Sequence, residues 1–174
     1  MTIGARILYA TDVLSTDDIR GRVPRCRQSA AAADLLERLV GTEFAPTARS
    51  ISHSRATVAV AVGDAPGLLL GIDIEWMAPN RPFGAIARTF LASASQQMDC
   101  ADFYRGWTFF EAYYKAFQCF PDAGLVEDII SQAADVDAYR LADATYVTQH
   151  RVADTFQLCL VWHSAASSVH VARI

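Results

Sequence analysis

Gly71-Ile72-Asp73-Ile74-Glu75 decides how this chain is read. It closes an apolar run, Leu68-Leu69-Leu70-Gly71-Ile72, and sets two carboxylates two positions apart. Along an extended strand alternate side chains share a face, so Asp73 and Glu75 point one way while Ile72 and Ile74 point into a core. Two like charges at the end of a buried strand repel each other. A cation between them offsets that repulsion, and Mg²⁺ takes oxygen ligands of this kind. A strand that emerges into solvent with ordinary surface acids gives the same pattern, so the pair alone leaves both readings open.

A second stretch bears on the choice. Trp107-Thr108-Phe109-Phe110-Glu111-Ala112-Tyr113-Tyr114-Lys115-Ala116-Phe117 reads as a helix dense with aromatics. Glu111 and Lys115 are four positions apart and share a helical face. As a surface pair they would contribute only about 0.2–0.5 kcal/mol. An acid and a base carried by an otherwise apolar helix point instead to a site.

Upstream stands Ser50-Ile51-Ser52-His53-Ser54, followed by Thr57-Val58-Ala59-Val60-Ala61-Val62. A Ser-His-Ser segment before a strand, then Gly-Ile-Asp-Ile-Glu, then Trp-Thr-x-x-Glu-Ala-x-x-Lys-Ala resembles the signature of the 4′-phosphopantetheinyl transferases of the surfactin-synthetase-activating type. The resemblance spans Ser50 to Phe117. It implies an α+β fold made of a pseudo-twofold pair of similar halves. These would form one domain over residues 1–174, split into 1–66 and 67–174 and joined near Ala65 to Gly71.

The resemblance also implies a reaction. A carrier-protein serine attacks the β-phosphate of coenzyme A, and 3′,5′-ADP leaves. Mg²⁺ would sit on Asp73, Glu75 and Glu111. Glu111 would also take the serine proton, Lys115 would donate to a phosphate, and Ser52 with His53 would hold another phosphate oxygen. The implied partners are coenzyme A and an acyl or peptidyl carrier protein, and the implied state is a monomer. Three departures run against the pattern. Phe110 stands where the family usually has lysine, Glu43-Phe44-Ala45-Pro46 replaces a Gly-Lys-Pro-like element near the adenine, and Gln118-Cys119-Phe120-Pro121 replaces a Gly-containing turn. They motivate an alternative: a weak or inactive homologue that binds coenzyme A or a carrier without transfer. A magnesium-dependent pyrophosphate hydrolase ranks behind both, because beyond Glu111 nothing marks a water-activating group.

Composition fits such a domain. The chain has 174 residues, 52% hydrophobic and 20% charged, enough for a core and against disorder. A net charge of −4 argues against nonspecific nucleic-acid binding. The four cysteines, Cys26, Cys100, Cys119 and Cys159, form no Cys-x-x-Cys pair, so zinc is not expected. They read as free, mostly buried thiols. No signal-peptide pattern or membrane-length apolar run occurs, and a cytoplasmic protein is expected.

The remaining elements follow from local pattern. Ile3 to Ala10 reads as a strand and Ser15-Thr16-Asp17-Asp18 as a helix start. Arg20, Arg22, Arg25 and Arg27 form either a solvated face or a phosphate-facing rim. Gln28 to Val40 is a helix burying Leu35, Leu36, Leu39 and Val40, stopped by Gly41. Gly63-Asp64-Ala65-Pro66-Gly67 predicts a hairpin joining strands Thr57–Val62 and Leu68–Glu75. Phe83, Ile86, Ala87 and Phe90 repeat at helical spacing, and Ser93 to Met98 reads as a short helix. A helix from about Asp102 to Phe117 ends before Pro121 and Gly124. Three strands close the chain, at Ala144–Val152, Phe156–Trp162 and Ser168–Ile174.

Overall fold

The protein is a mixed α+β fold, seen in a computed structural model that describes residues 5–14, 23–41, 44–91, 98–132, 136–141, 143–166 and 168–174. The expected helix start at Ser15–Asp18, the arginines Arg20 and Arg22, and most of the segment Ser93–Met98 lie outside these residues. In chain order the elements are β1 (Ala5–Val13), α1 (Arg25–Val40), β2 (Ala48–Ser54), β3 (Thr57–Gly63), β4 (Leu69–Trp76), α2 (Phe83–Ala87), α3 (Cys100–Phe117), α4 (Ala123–Ser131), β5 (Val136–Arg140), β6 (Thr145–Val152), β7 (Phe156–His163) and β8 (Val169–Arg173).

Two four-stranded sheets, ordered β2-β3-β1-β8 and β4-β7-β6-β5, pack face to face. Ile7, Tyr9, Ala59 and Ala61 of the first sheet meet Ile72, Ile74, Leu158 and Leu160 of the second. A second apolar layer joins the first sheet to α1, through Val58, Val60 and Val62 against Ala32, Leu35 and Leu39. A third joins the second sheet to α2, α3 and α4, with Cys159 and Val161 facing Phe109, Ala112 and Val126. The order of layers explains β3. Its valines face α1 and its alanines face the second sheet, so the strand is apolar on both sides and buried throughout.

The expected hairpin between β3 and β4 does not form. β3 pairs with β1 and β2, while β4 pairs with β7, so the Gly63–Gly67 segment crosses between sheets. The Asp64 carboxylate accepts from the Arg6 backbone N–H and guanidinium, both at 2.7 Å, and the Thr47 hydroxyl donates to the Ala65 carbonyl at 2.7 Å. These bonds hold the turn on the first sheet and launch β4 into the other. The real hairpin is β2–β3, turned at Arg55 with φ of 56°.

The division at 66/67 is also crossed. β8 returns to the first sheet and pairs with β1 in parallel. α4 and β5 are elements that sequence pattern did not separate. Of the cysteines only Cys159 is fully buried, while Cys26 and Cys119 are exposed.

Candidate functional site

The site is built where the edges of the two sheets meet. β2 and β4 lie side by side and parallel, joined by serine hydroxyls. Ser50, Ser52 and Ser54 share one face of β2 and accept from the backbone N–H groups of Ile72, Ile74 and Trp76 at 3.0, 3.3 and 2.9 Å. Two of these hydroxyls then donate onward. Ser52 Oγ reaches Asp73 Oδ1 at 2.7 Å, and Ser54 Oγ reaches Glu75 Oε2 at 2.8 Å. Ser52 and Ser54 therefore each fix a carboxylate and satisfy an amide at once, which buried polar groups need. The Ser-x-Ser-x-Ser alternation was the sequence signal for this, and it points Ser52 at Asp73 rather than at a ligand.

The other wall is α3. The helix is capped by Asp99, whose side chain accepts from Asp102 N. Its backbone lies directly on β4 at Gly71, where an added Cβ would sit 1.9 Å from the Ala112 carbonyl oxygen. That approach places Trp107, Glu111 and Lys115, spaced four apart, over the carboxylate face of the strand. Lys115 Nζ donates to Asp73 Oδ1 at 2.8 Å and to the Ile72 carbonyl at 3.0 Å, across 42 residues of sequence. The Trp107 indole lies close enough to Glu75 to favour its charged form. Lys115 is the sole lysine of the chain.

Electrostatics follow from this burial. Burial pushes the Asp73 carboxyl above the ordinary carboxylate range, and Lys115, Ser52 and the Ile74 N–H oppose that without cancelling it. Glu75 is raised by burial and then by the Asp73 charge, against Ser54, Arg81 and Trp107. Glu111 is raised by burial and by Asp73, with Lys115 pulling it down. The Asp73 charge thus reaches both glutamates. Asp73 Oδ2 is buried and has no hydrogen-bond partner. An uncompensated oxygen beside two further acids fits a divalent cation in donor chemistry. Among the described residues, no three His, Cys, Asp or Glu side chains converge at metal-holding distance. A cation drawing on all three acids therefore requires at least one to reorient.

Ser52 and His53 have different surroundings. Adjacent strand residues face opposite ways, so Ser52 is buried on β4 while His53 is exposed. His53 instead lines a hollow of about 320 Å³ with Gln28, Ser54, Arg55, Glu75 and Arg81. Arg55 stacks over the Trp76 ring at 4.6 Å, and Arg81 lies close enough to Glu75 to lower its pKa. These two arginines are cations that sequence motifs did not single out. Of the arginine-rich segment, Arg25 and Arg27 lie exposed on the first turn of α1.

The departures from the motif have physical roles. Phe110 stacks on Phe120 at 4.5 Å and packs against Phe90 and Trp107, so its ring is part of an aromatic stack. Phe44 is buried against the first-sheet core, with the Arg6 guanidinium 5.2 Å from its ring. The segment from Phe44 therefore plugs the core where the family pattern has a cationic contact. No known protein family and no curated protein matches this chain.

Proposed function

We propose that the chain transfers 4′-phosphopantetheine from coenzyme A to a serine of an acyl or peptidyl carrier protein, with Mg²⁺ and release of 3′,5′-ADP. The observation that carries this reading is the meeting of β4 and α3: Asp73 and Glu75 lie under Glu111 and Lys115, residues distant in sequence. The strand order supports the matching fold. Both sheets contain the same run of three, β1-β3-β2 in the first and β4-β7-β6 in the second. That repetition is what a pseudo-twofold pair of α+β halves requires, with β8 added beside β1 and β5 added beside β6.

Asp73, Glu75 and Glu111 would hold the metal. Bound there, Mg²⁺ would neutralise pyrophosphate charge and hold the diphosphate in line. Ser52 and Ser54 fix the first two carboxylates so that no reorganisation is needed on that wall. Lys115 offers an ammonium that moves from Asp73 to a phosphate oxygen once the acid has another cation. Arg55, Arg81 and His53 face the hollow beside Glu75, where further phosphate oxygens would sit. Glu111 takes the proton from the carrier serine, and its raised pKa brings it closer to the working range of a general base. The serine oxygen then bonds to the β-phosphorus, and the bond to the bridging oxygen of 3′,5′-ADP breaks. Among the described residues no helix is long and apolar enough to cross a membrane. A monomer acting on cytoplasmic carriers agrees with this reading.

The test is a mass measurement on a panel of apo carrier proteins incubated with the protein, coenzyme A and Mg²⁺. A phosphopantetheine adduct on at least one carrier is expected, and no adduct on any would reject the transferase. A second reading is favoured by Lys115 being committed to Asp73 and by Phe110 being built into an aromatic stack. On that reading the fold binds coenzyme A without transfer. Calorimetric binding of coenzyme A in the absence of any adduct would select it.

A further inference from the structure

Lys115 holds the acid that a metal on this site would need first. Its Nζ donates to Asp73 Oδ1 at 2.8 Å, and Ser52 donates to the same oxygen at 2.7 Å. The other oxygen, Oδ2, is buried and unpartnered. A dication on Oδ2 would share one carboxylate with the ammonium on Oδ1, and like charges that close repel strongly. Glu75 has a cation of its own nearby, because Arg81 lies close enough to favour its charged form. The acids Asp73, Glu75 and Glu111 thus already face Lys115 and Arg81, which weakens their pull on a bare ion. Among the described residues they also do not converge at metal-holding distance.

A diphosphate supplies what the bare ion lacks. Its oxygens fill positions of an octahedral shell that spread acids leave open, and they accept from a displaced ammonium. Lys115 is built for that exchange. An ammonium carries three protons, and among the described residues it is held by Asp73 Oδ1 and by the Ile72 carbonyl at 3.0 Å. Its side chain is 27% exposed, and its flexible stem lets the charge swing while α3 stays against Gly71. We propose that Lys115 is an internal counter-ion that keeps Asp73 closed to free Mg²⁺ and opens it to Mg²⁺ that enters with a diphosphate. This rests on the metal set of the transferase reading and deepens it: the species recognised is the metal–diphosphate complex. The product 3′,5′-ADP, which carries only single phosphates, does not hold Lys115 away from Asp73.

The test follows Mn²⁺ by its electron paramagnetic resonance signal as it binds the full chain alone, with coenzyme A, and with 3′,5′-ADP. Each series is corrected for the ion held by the nucleotide without protein. The wild type should bind the ion at least about tenfold more tightly with coenzyme A than alone, the low end for one charge-assisted contact, and 3′,5′-ADP should give no such gain. By linkage, Mg²⁺ should raise the calorimetric affinity for coenzyme A by a matching factor. Lys115→Met should bind the bare ion about tenfold more tightly than wild type and lose most of the gain from coenzyme A, whereas Lys115→Arg, which keeps a cation, should not. Equal binding of the ion by the wild type with and without coenzyme A overturns the proposal and needs no variant to fold. An equal gain from 3′,5′-ADP does so too. Folded Lys115→Met protein with wild-type affinity for the bare ion removes the role of Lys115 alone, provided that the wild type still gains from coenzyme A and Asp73→Ala does not. No binding of the ion in any series rejects the metal set and the proposal together.

Discussion

Gly71→Ala should separate α3 from β4 and disable the site without touching a charged group. The added Cβ would lie 1.9 Å from the Ala112 carbonyl oxygen and 2.8 Å from the Ala116 amide nitrogen. Both are backbone atoms of a helix, so no rotamer change relieves them. Ordinary contact begins near 3.4 Å, so the helix must retreat by about 1.5 Å in an interior that packs like a crystal. Overpacking of this kind costs about 3 kcal/mol, the upper end of the usual range. In a chain of this size that corresponds to a melting temperature lower by about 6–12 °C. The same retreat stretches the 2.8 Å Lys115–Asp73 contact beyond hydrogen-bond length. A displacement near 1 Å in a catalytic constellation reduces turnover by about 10²-fold. The assays are urea unfolding and carrier transfer, the latter run at a temperature where both proteins remain folded. Gly124→Ala is the control, because no atom lies within 4 Å of its added Cβ. At this exposed first-turn position it should leave stability within about 0.5 kcal/mol of wild type. A Gly71→Ala protein within 0.5 kcal/mol of wild type would refute the helix–strand contact on which the site depends.

Three further outcomes follow from the same geometry. Ser52→Ala removes the acceptor of the buried Ile74 amide and a donor to Asp73, and should cost about 1–3 kcal/mol in urea unfolding. Ser54→Ala, at a part-exposed position, should cost less, and the reverse order would discard the serine bridge as a structural device. Asp73→Ala should abolish Mg²⁺-dependent transfer while circular dichroism stays native; retained activity would remove Asp73 from the metal set. Glu75 has a folded pKa raised above the ordinary 4.5, so the native state holds its proton more tightly than the unfolded chain does. Its contribution to stability therefore falls as pH rises from about 4.5 through the raised value. Melting curves of metal-free protein should show that decline, Glu75→Gln should flatten it, and an equally steep slope in the variant would place the cause elsewhere.

The alternation in β4 was legible from sequence because it is local. Ile72 and Ile74 are fully buried between the sheets and Asp73 faces α3, as the period of two requires. The helix carrying Glu111 and Lys115 was legible for the same reason, as were α1 and β6 to β8 with their ends shifted by up to three residues. What failed was non-local. Gly63 to Gly67 has the composition of a hairpin turn, and only the bonds from Arg6 and Thr47 send the chain to the other sheet. Gly124 was read as a breaker, yet it sits in the first turn of α4, where a glycine does little harm. β5 has a register shift between Val136 and Tyr139, which blurs any period. In the site, the bonds of Ser52 to Asp73 and the Ile74 amide were not legible, because its neighbour β4 could not be known. Arg55 and Arg81 went unnoticed, and Trp107 was noticed only as the start of the helix motif, because only the fold brings them to Glu75 and its hollow.

The parallel pairing of β1 with β8 has a consequence for how the molecule is made. Ala5 to Val13 can pair with β3 as soon as that strand is made, but its other edge stays open until Val169 to Arg173 arrives. Between those two events the nascent chain carries a half-paired strand with Ile7 and Tyr9 on it, a template for wrong partners. Closure between such distant segments is slow by topology alone. Nascent chains that stop short of β8 should accordingly depend on chaperones in a way that the finished protein does not.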